Sequence, residues 1–287
     1  MKKYGFIFFG EDVFSLTVLE SLVTSDTKLV PLAVVILTPI SASGQKLVTY
    51  CEENKFRLIK LNSLKNDRFI RMCKKLDYDF IISAHFQRII PSCIFSRAKI
   101  AALNLHPSLL PHYRGMSPQH WPIINRDKDT GVSVHLIEDK VDTGRIIEQV
   151  VLPISESLYI HQLQKKLLFI YESIMLKSIE KCLAGYEGED QSDVGAEYYG
   201  KIKTSDRTIL DCDSVDLAYG KIRAFSLPYA GAIFGDMIIF KANKISDKEF
   251  CSIRSTHGTG WVIVDDAAYL ILKDGGLSQL KWRKNEA

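Results

Sequence analysis

The chain has 287 residues, of which 46% are hydrophobic and 25% charged, and its formal net charge is +3 with histidines neutral. That length and composition describe a globular protein with material for a substantial core, laid out as one large domain or two smaller ones. The charge is too small to argue for a nucleic-acid partner, and no apolar run approaches the ~18 residues of a membrane span. The chain starts Met1-Lys2-Lys3, as a signal peptide would, but the apolar run that follows stops at Gly10-Glu11-Asp12 without a small-residue cleavage site. It reads as a first buried strand. Cysteines 51, 73, 93, 182, 212 and 251 form no C-x-x-C pair, so no zinc site or redox motif is signalled and no metal is expected. Their scatter suits reduced core thiols in a cytoplasmic protein.

Apolar runs and helical patterns alternate through the first half. Tyr4–Phe9 is broken only by Gly5, as expected of a strand covered on both faces. Val13, Leu16, Leu19, Leu22 and Val23 follow at helical spacing. Val30–Leu37 predicts a second strand, Thr38–Gly44 a loop marked by proline, serines and glycine, and Lys46–Glu53 a short helix. Phe56–Leu61, Phe80–Ser83 and Ile100–Leu105 read as strands, and Asp67–Lys75 as a helix. Gly131–Glu138 and Ile146–Ile154 are further strands, and Leu158–Leu183 is the longest helical pattern. This order predicts an α/β fold: a mostly parallel Rossmann-like sheet with helices on both faces. Ala184–Ser205 has no apolar period and reads as a linker. After it come a helix at Val215–Phe225 and short strands near Ala232–Lys241, Gly260–Asp265 and Tyr269–Leu272, which suggest a small β-rich C-terminal module. The expected division is a catalytic domain at 1–184, a linker at 185–205 and the module at 206–287.

Chemistry is densest in Leu103–Gly115, LNLHPSLLPHYRG. A strand ends there with Asn104 and His106 two residues apart, so both side chains point to one side of an extended chain. The C-terminal edge of a parallel sheet is where open α/β folds place ligands. Further on, KVDTG at Lys140–Gly144 is a turn carrying the carboxylate of Asp142. An amide donor, a base that titrates near neutrality and a carboxylate to orient it form a usable set. Taken singly they prove little: a loop histidine is most often structural, and an aspartate in a D-T-G turn is most often a turn former.

The patterns N-x-H-x-S-L-L-P-x-x-R-G, T-G-V-x-x-H and V-D-T-G-x-I stand in this order at Asn104–Gly115, Thr130–His135 and Val141–Ile146. Together they resemble the folate-dependent formyltransferase family, continuously from about residue 78 to 155. The resemblance implies that Asn104, His106 and Asp142 are a catalytic trio acting without a metal, with 10-formyltetrahydrofolate as cosubstrate. An amine attacks the formyl carbon directly, through a tetrahedral intermediate. Asn104 donates a hydrogen bond to the oxyanion, worth ~3–4 kcal/mol in the transition state. His106 can take the proton of the attacking amine, and Asp142 can hold the imidazole in place or help organise proton transfer. By the same resemblance Phe86, Arg88, Ile89 and Ile90 form one wall of the pterin site, and Ile137, Glu138 and Asp139 begin the other. Gly10, Glu11, Ser108, Tyr113 and Arg114 are the candidates for binding the acceptor. Gly10-Glu11-Asp12 lacks the full G-x-G-x-x-G spacing, so no dinucleotide cofactor is expected.

The family formylates several amines. A tRNA acceptor needs phosphate contacts from Lys and Arg, yet Thr38–Lys46 (TPISASGQK) carries one lysine and no arginine. The run Tyr113-Arg114-Gly115-Met116-Ser117-Pro118 looks most like the sugar N-formyltransferases. Tyr198–Leu210 and Ile222–Ala232 resemble segments shared by the tRNA and sugar enzymes. The expected acceptor is therefore a nucleotide-linked amino sugar, a dTDP-3- or 4-amino-dideoxyhexose of the kind built into lipopolysaccharide O-antigen. The expected protein is a cytoplasmic homodimer with no nucleic-acid or membrane partner. Methionyl-tRNA formylation is the alternative. A non-catalytic folate- or nucleotide-binding protein would require the trio to be broken, and it is intact.

Overall fold

The computed structural model describes residues 2–285. The chain divides into two compact units. One takes in the chain up to Met116, Gly131–Val151 and Lys166–Tyr199; the other takes in Ser117–Thr130, Leu152–Lys165 and the chain from Gly200 onward. The stretch 185–205, expected as a linker, thus contributes its residues up to Tyr199 to the first unit.

The N-terminal elements are β1 (Tyr4–Phe9), α1 (Val13–Thr24), β2 (Leu29–Leu37), α2 (Ala42–Glu53), β3 (Leu58–Leu61), α3 (Asp67–Lys75), β4 (Phe80–Ala84), α4 (Ser92–Phe95) and β5 (Ala101–His106). They continue with β6 (Arg114–Gly115), α5 (Trp121–Asn125), β7 (Asp129–Leu136), β8 (Ile146–Pro153) and α6 (Ile160–Leu183). The main sheet has the order β3-β2-β1-β4-β5-β7-β8. Strands β1 to β5 pair in parallel, and β7 runs antiparallel to β5. Phe6, Ile7, Phe8 and Phe9 are fully buried, which is why β1 reads as an unbroken apolar run. One core cluster joins Ile7, Phe9, Val35, Phe69, Tyr78, Ile81, Ile90 and Ile94.

The expected loop Thr38–Gly44 is shorter than its composition implied. Helix α2 already begins at Ala42, because the Ser41 side chain caps it by accepting from the Gly44 N–H. Serine and glycine there build a helix start. The thiols also depart from expectation: Cys51, Cys73 and Cys182 are buried, but Cys93, Cys212 and Cys251 are exposed.

The remaining elements are β9 (Tyr198–Tyr199), α7 (Thr204–Arg207), α8 (Val215–Phe225), β10 (Ala232–Phe234), β11 (Met237–Lys244), α9 (Asp247–His257), β12 (Gly260–Val264), β13 (Ala267–Ile271) and β14 (Gly276–Lys284). In the second unit, β10-β11-β14-β13-β12 form an antiparallel sheet. Ile222 of α8 joins Ile239, Leu270 and Leu277 of that sheet in one cluster. Helix α9 and strand β14 escaped the sequence reading, since polar residues dominate both.

A buried histidine in this unit sets an acid sensitivity. The His120 ring packs against Phe225 and Tyr229, and its Nδ1 lacks a hydrogen-bond partner among the described residues. Burial pushes its pKa down from the ordinary 6.5 to about 4. Between those values the unfolded chain binds the proton and the folded chain does not, so stability is lost as pH falls through that window. The loss is about 3 kcal/mol when complete. The His120→Phe variant keeps the ring contacts and removes the titration. Urea midpoints measured from pH 7 to pH 4 should therefore fall less in the variant than in the parent, and equal falls would clear His120 of the effect.

Candidate active site

Sheet order reverses between β1 and β4, the position where doubly wound sheets gather ligands. The segments that leave these two strands are joined there. Asp12 caps α1 by accepting from Phe14 and Ser15 N–H groups, and its other oxygen lies 3.3 Å from His85 Nδ1. His85 Nε2 lies 2.9 Å from the Tyr171 hydroxyl, and Phe14 stacks on the ring. Glu11 accepts from the Gln87 N–H at 3.3 Å. Burial raises the Glu11 pKa, opposed by that hydrogen bond and by Arg88.

At the adjacent strand end, four side chains meet. Asn104 and His106 close β5, and the antiparallel register sets Asn104 opposite His135 of β7. The Asn104 amide Nδ2 lies 3.1 Å from His135 Nε2. His135 Nδ1 lies 2.7 Å from the Leu136 carbonyl, so Nδ1 carries a proton, and Nε2 faces Asn104 and Asp142. Asp142 lies between the two histidines. Its oxygens are 3.5 Å from His106 Nδ1 and 3.4 Å from His135 Nε2, and it accepts from the Gly115 N–H at 2.8 Å. The structure therefore brings Asn104, His106 and Asp142 together, with His135 as the link between the amide and the carboxylate.

Electrostatics define the resting charges. Burial favours a neutral Asp142, but the two imidazoles and the Gly115 N–H outweigh it and hold the carboxyl well below the usual carboxylate range. His106 is only 4% exposed, and that burial lowers its pKa against the opposing pull of Asp142. The two shifts compete for one charge, since an imidazolium would help to hold Asp142 ionised. An ionised Asp142 beside a neutral His106 is the state we assign, because the Gly115 hydrogen bond stabilises the carboxylate whichever form His106 takes. His106 Nε2 lies 2.9 Å from the Tyr113 carbonyl, which can only accept, so Nε2 holds the ring proton and Nδ1 carries the lone pair.

The other candidates are placed as follows. Ile90 is buried in the core cluster, with Phe86 and Ile137 packed partly buried against the same cluster, so the two expected pterin walls share one foundation. Arg88 and Ile89 are exposed, Ile89 by 69%. Glu138 and Asp139 are also exposed. Gly10 is buried and donates its N–H to the Val35 carbonyl. Ser108 is buried and donates to the His112 carbonyl. Tyr113 stacks at a tilt on Tyr199, and its carbonyl holds His106. The Arg114 guanidinium is buried against Gln191. Ser108 and Arg114, expected to bind the acceptor, thus have side chains engaged in structural hydrogen bonds. His135 and His85 were not among the expected site residues. His135 stands in the T-G-V-x-x-H pattern, which was the available signal; His85 carries none, because its partners Asp12 and Tyr171 are distant in sequence.

Among the described residues no cluster of His, Cys, Asp and Glu could hold a metal ion, and no helix is long and apolar enough to cross a membrane. A family profile described as formyl transferase matches residues 24–179. The bifunctional polymyxin resistance protein ArnA of Wigglesworthia glossinidia brevipalpis is 33% identical over 202 residues, 69% of this chain and 31% of that protein. The match thus spans under a third of that relative's own length. The methionyl-tRNA formyltransferase of Flavobacterium psychrophilum is 29% identical over 241 residues, 81% of this chain and 75% of that enzyme. The N-formyltransferase of Helicobacter canadensis, solved in complex with folinic acid and dTDP-3-aminofucose, superposes with a TM-score of 0.74 at 20% identity, over 96% of this chain and 99% of that one.

Proposed function

Because the chain belongs to the formyl transferase family, we propose that it moves a formyl group from 10-formyltetrahydrofolate to the free amine of a nucleotide-linked amino sugar. The reading rests above all on the array of Asn104, His135, Asp142 and His106, an amide, two imidazoles and an ionised carboxylate at the carboxyl end of a parallel strand. The donor set fits a flat pterin with a polar edge. The segments 86–90 and 137–142 combine exposed apolar side chains, Ile89 at 69% and Val141 at 40%, with turn backbone that can pair with such an edge. Phe86, Arg88, Ile89 and Ile90 would line one side and Ile137, Glu138 and Asp139 the other.

When bound, 10-formyltetrahydrofolate supplies a formyl carbon activated towards amines. The chain's residues do the rest. Asn104 has a second amide hydrogen beyond the one directed at His135, and it donates to the oxygen that gains negative charge. His106 accepts the amine's proton at Nδ1, the nitrogen that the Tyr113 carbonyl leaves free. Asp142, already ionised, stabilises the imidazolium that results.

For the acceptor, the Helicobacter likeness runs the length of both chains and that enzyme was solved with a dTDP-amino sugar. The segment Thr38–Lys46 offers a single cation, too few for a tRNA arm that needs several phosphate contacts. A cytoplasmic homodimer that supplies lipopolysaccharide O-antigen assembly completes the reading. Methionyl-tRNA is the second reading, favoured by the Flavobacterium relative. A competition decides: 10-formyltetrahydrofolate with dTDP- and UDP-linked amino sugars and methionyl-tRNA in one panel, read by the mass gain of one formyl group. The expected result is formylated sugar nucleotide. Efficient formylation of methionyl-tRNA with no sugar product would replace the acceptor and keep the chemistry.

A further inference from the structure

We propose that Gln191 is a positioning residue: it holds the turn that presents Asp142 to His106 and His135. The inference rests on the reading of Asp142 as part of the catalytic array. Asp142 has φ 55, in the left-handed region that aspartate tolerates at some cost. Gln191 holds it there. Its Nε2 donates to the Asp142 carbonyl at 3.0 Å and to the Gly144 carbonyl at 2.8 Å, so one amide group spans the turn on both sides of Thr143. Its Oε1 accepts from Arg114 Nε and Nη2, which fixes the direction of the amide and turns its hydrogens to the carbonyls.

Arg114 is only 3% exposed, and Asp193 and the Tyr198 ring flank its guanidinium. The stretch that carries Gln191 is tied down at both ends. Glu189 exchanges two backbone hydrogen bonds with Ile146, just beyond the turn, while Arg114 N–H donates to Glu197 and Met116 N–H to Tyr199. The next residue after Arg114, Gly115, donates to the Asp142 carboxylate itself. One set of contacts thus grips the Asp142 backbone and side chain together. The arrangement needs a neutral amide, with an acceptor on one side and two hydrogens on the other. A carboxylate at 191 would keep the Arg114 contact and set oxygen against two carbonyls.

The first test uses the ligand-free protein. Imidazole proton–nitrogen correlation spectra follow the titration of His106, which Asp142 supports against burial. Asp142→Ala removes that support, so His106 titrates at lower pH. Gln191→Ala and Gln191→Glu should shift it the same way, with the fold intact by near-ultraviolet circular dichroism. An unmoved His106 in both folded variants overturns the proposal, as does a shift in Gln191→Ala that Gln191→Glu abolishes, because the Arg114 contact alone would then suffice. Turnover is measured with 10-formyltetrahydrofolate and dTDP-3-aminofucose. Each Gln191 variant should lose ~10–100-fold in kcat, with KM for the formyl donor within about threefold of the parent. Added to Asp142→Ala, Gln191→Ala should cost nothing further, and a full additional loss would show that it acts elsewhere. Turnover of Asp142→Ala within a few-fold of the parent would remove Asp142 from catalysis, leaving the spectra to decide whether Gln191 positions it.

Discussion

Replacing His106 with asparagine should lower turnover by ~100-fold or more, the usual scale for losing a general base. Asparagine can still donate to the Tyr113 carbonyl, so the loss reports proton transfer more than packing. The proposed proton acceptor is Nδ1, which faces Asp142 at 3.5 Å while Nε2 is held by Tyr113. The same environment also fixes the sign of the pH dependence. Burial lowers the His106 pKa below its ordinary value in the ligand-free protein, so the acid limb of the kcat/KM profile lies below the ordinary histidine value. The Asn variant should lack that limb. Steady-state rates from pH 5 to 9 measure both effects, and turnover within a few-fold of the parent would show that His106 is not the base.

Exchanging Asp142 for asparagine should reduce turnover by a similar ~100-fold or more. The amide is nearly isosteric and can accept from Gly115, but it carries no charge to stabilise an imidazolium. Its NH₂ would also occupy the His106 lone pair that takes the proton. A stability effect accompanies the kinetic one. The folded pKa of Asp142 is depressed, so its contribution is present above the unfolded value of about 3.9 and is lost as pH falls below it. Urea denaturation should accordingly find the variant less stable than the parent at pH 7, with the gap narrowing in acid. Full activity in a folded variant would count against any role for the carboxylate.

Much of the first unit was legible in the chain. Strand β1 and helix α3, and helix α8 of the second unit, have the bounds their patterns predicted, because a strand covered on both faces leaves an unbroken apolar run and a helix leaves apolar residues three and four apart. Polar elements were not legible. Helix α9 and strand β14 have mixed faces, and Gln191 lies in a stretch of Gly, Glu, Asp and Ser that reads as a tether. Its role comes from hydrogen bonds to Arg114 and to two backbone carbonyls distant in sequence, which no period announces.

The sequence by itself determined the residues proposed for the chemistry. Asn104 and His106, two apart at a strand end, and Asp142 in a D-T-G turn are fixed by local spacing and by motif. Only the tertiary structure decided how they are arranged. The antiparallel register of β7 on β5 puts His135 between Asn104 and Asp142. The Tyr113 carbonyl chooses the nitrogen of His106 that remains free, and Arg114 is turned to Gln191. The reason is physical: periodicity reports which face of an element is buried, whereas strand register, imidazole tautomer and the pairing of buried polar groups depend on contacts between residues far apart in the chain.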